Sequence, residues 1–297
     1  MTAQRTAPHR IGVMYDRAWA PEGLPGFARA VEALGVEELW VVEDLGWAGA
    51  MSSAAAALGA TERLRVGIGI APAPLRNPVL LAMELAALAR MFPQRLTAGI
   101  GHGVAEWMAK VGAAPRSSLA RLEETVTVVR ALLRGEEVTL HGREVQVDGV
   151  RLVHPPAADA VPPVIAGVRG PRSLELSGRV TDGTLLDEGN GPDDLTRALA
   201  RIDRGRSGER PHSLNVFTFL HVGEDPAQAR AALEVHADWL PTPLDQVFIA
   251  GGAPAAAAAA VRALWAAGAQ TVVLRPLGPD PLDQLSALHA ALQQPQA

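Results

Sequence analysis

Short apolar segments alternate with helical segments along this 297-residue sequence, and that alternation limits its fold more than any other feature. Runs rich in β-branched residues, separated by amphipathic stretches, are typical of strand–helix units with parallel strands. Eight strands are predicted, at residues 11–15, 39–42, 64–70, 96–100, 163–167, 183–186, 214–222 and 271–275. Their apolar character is continuous rather than alternating, so both faces of the sheet are expected to be buried. The pattern predicts an α/β fold, a closed (β/α)8 TIM barrel, with an open doubly wound sheet as the alternative.

At least one helix is predicted after each strand, and the last helix ends the chain. The nine predicted helices are residues 24–34, 50–60, 78–91, 119–133, 171–178, 193–204, 226–239, 253–267 and 282–293. Residues 137–153, EVTLHGREVQVDGVRLV, alternate instead like a β-hairpin. We therefore predict a single TIM-barrel domain over residues 1–297, with a short β-hairpin insertion at about 136–162 after the fourth strand–helix unit.

Composition narrows the class of protein. The sequence is 48% hydrophobic with a formal net charge of −5, which suits a soluble protein and lacks the basic excess of nucleic-acid binders. It contains no cysteine, which excludes disulfides, thiolate nucleophiles and cysteine-ligated metals, and its histidines show no metal-ligand spacing. The polar start MTAQRTAPHR does not resemble a signal peptide, and the apolar segments are too short to span a membrane. We expect a cytoplasmic protein with a small-molecule substrate, and with no metal, nucleic-acid or membrane partner.

The barrel prediction also places the active site, because TIM-barrel enzymes build it at the C-terminal ends of the strands. Glu43 and Asp44 follow the second predicted strand, and their carboxylates are candidates for proton transfer. One of them would alternatively cap the helix near residue 50 or pair with Arg76. His102, after the fourth strand, is a candidate for ligand binding or proton transfer.

Two glycine loops, GIGHG at residues 99–103 and GVRGPRS at residues 167–173, lead from strands towards helices. Glycine lets backbone N–H groups approach an anion at a helix start, where the helix dipole also favours negative charge. Proline suits the first turn of a helix, and the two arginines of the second loop add positive charge. The loops together predict a phosphate-binding site. The candidate cofactor-binding residues are Gly101, His102, Gly103, Gly167, Val168, Arg169, Gly170, Pro171 and Arg172.

The order and content of these loops resemble the luciferase-like flavin-dependent oxidoreductases, the bacterial luciferase superfamily. The similar segments are residues 33–44, 58–103, 164–186 and 247–280, which together run through most of the chain in family order. The run GPRSLELSGRVTDG at residues 170–183 and the closing LGPD at 277–280 are most similar to the deazaflavin-using branch, typified by methylenetetrahydromethanopterin reductase.

The resemblance implies an oxidoreductase that transfers a hydride between reduced coenzyme F420, a deazaflavin, and an unidentified organic substrate. An FMN-dependent monooxygenase of the same family and a non-catalytic flavin-binding homologue are the alternatives. Family members carry a bulge with a non-prolyl cis peptide at the end of the third strand, against the flavin ring. That bulge corresponds here to Gly69 and Ile70, with Ala71 next, which makes these three residues candidates for cofactor binding.

Two departures from the family pattern affect the expected chemistry. His102 stands where FMN-dependent members carry an arginine for the phosphate, which favours the deazaflavin. Leu45 follows Asp44, where some deazaflavin dehydrogenases have a catalytic histidine. That dehydrogenase mechanism is therefore not carried over, and Glu43, Asp44 and His102 remain the candidate catalytic residues. Homodimers are common in the family, so a homodimer is expected.

Overall fold

The computed structural model describes residues 9–208, 210–240 and 242–294. These residues form eleven β-strands, two of which make a separate antiparallel hairpin. The strands are β1 (Arg10–Met14), β2 (Glu38–Val41), β3 (Arg65–Pro72), β4 (Leu96–Gly101), β5 (Val138–His141), β6 (Gln146–Val150), β7 (Val164–Gly167), β8 (Gly183–Leu186), β9 (Ser213–Val222), β10 (Ile249–Gly252) and β11 (Thr271–Pro276).

Eight parallel strands close into a barrel in the order β1, β2, β3, β4, β7, β8, β9, β11 and back to β1. The pairing of Ile11 with Val272 joins the first barrel strand to the last, and this closure rules out the open-sheet alternative. All eight predicted strands correspond to barrel strands, so the TIM-barrel prediction is confirmed.

The described residues also form ten α-helices, which surround the barrel and pack on its apolar outer face. The helices are α1 (Leu24–Ala33), α2 (Ala50–Gly59), α3 (Pro78–Met91), α4 (Ala105–Lys110), α5 (Ser118–Leu133), α6 (Pro171–Val180), α7 (Pro192–Gly205), α8 (Pro226–Glu234), α9 (Pro254–Ala266) and α10 (Pro281–Gln293). Short 3-10 helices occur at Pro21–Gly23, Ala158–Ala160, Ala237–Trp239 and Leu244–Gln246.

The helix predictions differ from the structure at two places. The six-residue α4 was not predicted, because one and a half turns are too short to show helical periodicity. The predicted helix 226–239 was too long, since α8 ends at Glu234 and a 3-10 turn follows at Ala237–Trp239.

β10 is the one strand among the described residues that sequence analysis missed, apart from the hairpin pair that it placed in the insertion. β9 has ten residues, and its last four, from Phe219 onwards, pair with β10 after β8 has ended. The segment IAGG of β10 is short and contains two glycines, so it carries no strand signal of its own. Its pairing depends on the extra length of β9.

The predicted hairpin is present. β5 and β6 are antiparallel and lie after α5, within the predicted insertion. The carboxylate of Glu124, on α5, accepts hydrogen bonds from the backbone N–H groups of Arg143, Glu144 and Val145 at 2.8–2.9 Å, which attaches the hairpin turn to the barrel. The assignment of residues 1–297 to one domain stays a prediction.

The upper interior of the barrel is a compact apolar layer. Its buried members are Met14, Trp40, Ile165, Leu185, Phe217 and Val273. The indole of Trp40 fills the centre because the barrel strands beside it carry glycine: a methyl group on Gly67 would overlap that ring. Trp40 Nε1 donates to the buried carboxylate of Glu38 at 3.0 Å, so its polar atom is satisfied. This layer supports the cavity above it.

No helix among the described residues is long and apolar enough to cross a membrane.

Candidate active site

A cavity of about 290 Å3 opens at the C-terminal end of the barrel, where the predicted site lies. This volume is at the lower end of the range for small-molecule sites. Its lining combines an apolar floor with several charged groups. The lining residues are Met14, Arg17, Val42, Glu43, Asp44, Gly69, Ile70, Pro72, His102, Gly103, Val104, Trp107, Gly167, Val168, Arg169, Leu185, Asp187, Glu188, Phe217, Phe219, His236, Leu240 and Arg275.

Ile70 forms part of the cavity floor. The peptide bond between Gly69 and Ile70 is cis, at the position that the family resemblance implied. The register between β3 and β4 shifts between Ile68 and Ala71, which is the expected bulge. Ala71 returns to regular pairing and is 1% exposed, so it lies beneath the cavity surface.

The glycines of β4 and β7 make room for Ile70. A Cβ atom on Gly101 would lie 2.9 Å from Ile70 Cδ1, and a Cβ on Gly167 would overlap Ile70 Cγ2. Both glycines belong to the loops that the sequence predicts to bind phosphate. The structure gives them a packing role, because any side chain there would displace the residue that forms the floor.

The two candidate carboxylates after β2 are both bound to arginines. Arg76 donates from Nε to Glu43 Oε2 at 2.8 Å and from Nη2 to Oε1, and Glu43 also accepts from the N–H of Ala50 at 3.4 Å. Asp44 accepts a hydrogen bond from Arg17. The alternative that Glu43 pairs with Arg76 and binds the start of a helix is thus observed, while both carboxylates still line the cavity.

Arg17 links Asp44 to two tryptophans. Its guanidinium lies 4.6 Å from the centre of the Trp47 ring and 6.0 Å from that of Trp107, close enough for cation–π attraction. Trp107 is 8% exposed and lines the cavity, whereas Trp47 is 43% exposed. Trp107 therefore forms an aromatic part of the cavity wall, and Trp47 stacks on the guanidinium of Arg17.

His102 connects the fourth strand to the start of α6. Its Nε2 lies 3.0 Å from Ser173 Oγ, in the first turn of that helix. Burial lowers the pKa of His102, so its imidazole is neutral near pH 7. Gly170 precedes the helix with φ of 83°, a conformation open to glycine, and Pro171 begins it. The first turn thus presents backbone N–H groups and a serine hydroxyl beside His102, a donor set that suits a phosphate.

The structure divides the predicted cofactor-binding residues into two groups. Those that line the cavity are Gly69, Ile70, His102, Gly103, Gly167, Val168 and Arg169, together with the candidate catalytic residues Glu43 and Asp44. Ala71, Gly101, Gly170 and Pro171 do not line it, and Arg172 lines a separate groove between α5 and α6.

Arg275, near the end of β11, is held by two carboxylates. Its Nε and Nη2 reach Asp16 Oδ2 at 2.9 and 2.8 Å, and its Nη1 reaches Glu188 Oε1 at 2.9 Å. Burial by itself would lower the pKa of Arg275, but the charges of Glu188 and Asp16 outweigh burial and raise it. Burial likewise opposes ionisation of Asp16, yet Arg275 and the N–H of Ala18 lower the pKa of that carboxyl. Asp16 and Arg275 are therefore both ionised at neutral pH.

Asp187 differs from the other carboxyls of the cavity. Burial raises its pKa above the ordinary value, Arg169 counteracts this at 3.1 Å, and Glu188 adds to it. The arginine that pairs with Asp187 is also more exposed than the arginines that pair with Glu43, Asp44 and Glu188, since the Arg169 side chain is 63% exposed. Asp187 is therefore a cavity carboxyl whose protonated form is favoured by burial.

Several residues that line the cavity are not among the site residues predicted from the sequence. Phe217 and Phe219 line the cavity from one face of β9, and their spacing of two on a predicted strand was an available signal. Arg17 lies two residues beyond the end of the first predicted strand, at the rim where the site was expected. His236 carried no such signal, because it fell inside the helix predicted at 226–239.

Comparison with known proteins places this geometry in a family. A family described as luciferase-like monooxygenase matches residues 1–290. The 5,10-methylenetetrahydromethanopterin reductase of Methanolobus tindarius is 25% identical over 213 residues, which cover 70% of this chain but only 64% of that protein, less than two thirds of its length. The F420-dependent glucose-6-phosphate dehydrogenase of Nakamurella multipartita is 29% identical over 228 residues, covering 72% of this chain and 67% of that protein.

The fold agrees with a solved structure. The coenzyme F420-dependent tetrahydromethanopterin reductase from Methanopyrus kandleri superposes with a TM-score of 0.82 at 19% identity, covering 96% of this chain and 99% of that one. The family match spans nearly the whole chain and confirms the resemblance drawn from the glycine loops and strand ends. With a cavity at the C-terminal mouth of a closed eight-stranded barrel, this chain belongs to the luciferase-like monooxygenase family of oxidoreductases.

Proposed function

We propose that this protein is an F420-dependent oxidoreductase that transfers a hydride between the deazaflavin and a small organic substrate. The observation that carries this proposal is the pairing of an apolar floor, formed by Ile70, with a phosphate-ready helix start beside His102. A flat tricyclic ring fits over the floor, and a phosphate-bearing tail fits the first turn of α6. The F420-dependent relatives from other organisms support the same cofactor.

In this proposal the residues of the chain bind and orient the cofactor and the substrate, and the cofactor carries out the chemistry. A reduced deazaflavin, when bound, supplies the hydride. Ile70 supports one face of the ring, so that the opposite face is open to substrate. Ser173, the backbone N–H groups of α6 and His102 hold the phosphate. Trp107 and Arg17 limit the entry of water from the side of α4.

The proton that accompanies the hydride needs a group that can hold it near pH 7. Glu43, Asp44 and His102 remain candidates from the sequence, but Glu43 and Asp44 are each bound to an arginine, and the lowered pKa leaves His102 neutral. Asp187 joins them as a cavity carboxyl whose pKa burial raises. We propose Asp187 as the proton donor: it takes up one proton in each turnover and is otherwise the carboxylate that pairs with Arg169. Glu43 and Asp44 hold the wall of the cavity.

Coenzyme F420 is proposed over FMN because His102 stands where FMN-dependent members carry a phosphate-binding arginine. The test is a fluorescence titration of the purified protein with each cofactor in turn. Micromolar binding of F420 with weaker binding of FMN is expected. Tight FMN binding without F420 binding would support the monooxygenase alternative, and binding of neither would support a non-catalytic homologue.

Two further parts of the proposal concern assembly and location. Leu80, Met83 and Met91 on α3 are 51–60% exposed and follow helical spacing, which makes one apolar stripe on the surface. Such a stripe supports the expected homodimer, since a two-fold axis would bury it against its own copy. The cytoplasmic location stays a prediction.

A further inference from the structure

The carboxylates in the wall of the cavity are arranged in ion pairs with arginines. Among the described residues, four carboxylates line the cavity, and each contacts an arginine. The four pairs are Glu43 with Arg76, Asp44 with Arg17, Asp187 with Arg169 and Glu188 with Arg275. The two histidines of the wall add no free cation, because burial lowers the pKa of both His102 and His236, with Arg275 adding to the effect at His236.

The pair between Glu188 and Arg275 is the most buried of the four. Both side chains are 13–14% exposed, and the guanidinium packs over the Phe219 ring at 5.8 Å. Asp16, which does not line the cavity, binds the Nε and Nη2 edge of Arg275. Glu188 lines the cavity and binds the remaining nitrogen, Nη1. Each of the three guanidinium nitrogens of Arg275, which itself lines the cavity, thus contacts a carboxylate of the same chain.

We infer that Glu188 is a specificity-determining residue, which occupies Arg275 as an internal carboxylate and so restricts this site to uncharged substrates. The inference rests on the proposed function only in treating the cavity as the place where the substrate binds. It deepens that function, because it names the class of substrate that the site accepts.

The physical reason is the cost of removing an ion from water without a partner. An anionic substrate group would lose its hydration and would have to displace Glu188 from Arg275 to recover a charge-assisted hydrogen bond. The displaced carboxylate would then itself be left partly buried and unpaired. A cationic group meets the same difficulty, since every carboxylate of the wall holds an arginine. A neutral carbonyl or hydroxyl compound gives up far less hydration free energy than an ion does when it enters the site.

The experiment uses matched probes and the protein without cofactor. Binding of 4-fluorobenzoate and of 4-fluorobenzyl alcohol is followed by broadening of their fluorine NMR lines at millimolar concentration. In the wild-type protein, 4-fluorobenzoate is expected to bind more weakly than the alcohol. Glu188→Ala leaves Arg275 Nη1 without a partner, so we expect binding of 4-fluorobenzoate to tighten about tenfold or more. Glu188→Gln, which keeps the volume but removes the charge, is expected to show a smaller gain in the same direction, and it replaces the alanine variant if that variant does not fold.

Two controls locate the effect. The double variant Glu188→Ala/Arg275→Gln should bind 4-fluorobenzoate no more tightly than the wild type, because the Arg275 donor that Glu188→Ala exposes is then absent. Glu175→Ala removes a carboxylate that pairs with Arg201 away from the cavity, and it should gain nothing.

The inference is overturned if the wild-type protein binds the benzoate as tightly as the alcohol, or if neither Glu188 variant gains affinity for it. A gain that persists without Arg275, or that also occurs in Glu175→Ala, overturns it equally. Titration of the same preparations with F420 is a separate readout. Failure of F420 to bind would reject the proposed function and leave this result standing.

Discussion

The side chain of Ile70 occupies the space in which Gly167 would carry a Cβ atom. Gly167 ends β7, and Ile70 lies in the bulge of β3, so the two residues come from strands that do not pair with each other. Gly167, which in the sequence belongs to a predicted phosphate-binding loop, therefore also leaves the space that Ile70 needs to form the cavity floor.

Gly167→Ala is expected to destabilise the protein by about 1–3 kcal/mol, because the added methyl group forces Ile70 to move in a well-packed region. It should also weaken F420 binding, since the displaced side chain enters the cavity. Urea denaturation and a fluorescence titration measure the two effects. Gly26→Ala is the control: its methyl group meets no atom within 4 Å, and in α1 it should stabilise by about 0.5–1 kcal/mol. Wild-type stability and affinity in the Gly167 variant would contradict the packing role.

Asp16→Asn is expected to lower the free energy of unfolding at pH 7 by about 3 kcal/mol, because it removes one partner of a largely buried ion pair with Arg275. The pKa of Asp16 is lowered in the folded state, so its stabilising contribution is present above the unfolded pKa of about 3.9 and is lost as the pH falls through the folded value. The difference in unfolding free energy between wild type and variant should therefore be constant from neutral pH to about pH 5 and should shrink towards zero in stronger acid.

Urea denaturation of both proteins across that range measures the difference. Asp203→Asn removes the partner of Arg206 in an exposed pair, whose Asp203 side chain is 60% exposed, and should change stability by about 0.5 kcal/mol or less. A stability difference for Asp16→Asn that does not depend on pH would mean that the carboxylate charge is not what stabilises the cluster.

Ser173→Ala is expected to weaken F420 binding about tenfold, because a hydroxyl donor to a charged phosphate is lost from the start of α6. The deazaflavin chromophore without its phosphate tail should bind the variant and the wild type equally. Fluorescence titration with both ligands gives the two affinities. Arg179→Ala, in the last turn of the same helix and paired with Glu123, should leave both unchanged. An equal loss for both ligands would place the phosphate elsewhere.

The double variant Leu80→Glu/Met83→Glu is expected to convert a homodimer into monomers, because two charges in the apolar stripe of α3 cannot be buried against a second copy. Size-exclusion chromatography with light scattering measures the mass, and circular dichroism checks that the barrel remains folded. Val153→Glu changes an 86% exposed residue outside the stripe and should leave the dimer intact. A monomeric wild type would reject the homodimer itself.

The barrel could be predicted from the sequence because its signals are local and repeated. Each strand is a continuous apolar run, and the following helix is marked by its periodicity and, at α3, by Asn77 and Pro78, which cap and begin it. Sequence position also predicted the rim at which the cavity lies, because the ends of parallel barrel strands meet there. β10 escaped prediction because its pairing depends on how far β9 extends beyond β8.

Individual roles within the site could not be predicted in the same way. The charges of Glu43 and Asp44 were visible in the sequence, but their arginine partners lie 33 and 27 residues away. The same holds for Arg275, whose partners Asp16 and Glu188 are 259 and 87 residues distant. The sequence by itself determined the strand–helix repeat, the rim that carries the site and the family, because these depend on local patterns. Only the tertiary structure decided which charges neutralise one another and which glycines make room for Ile70, because closure of the barrel is what brings these distant residues into contact.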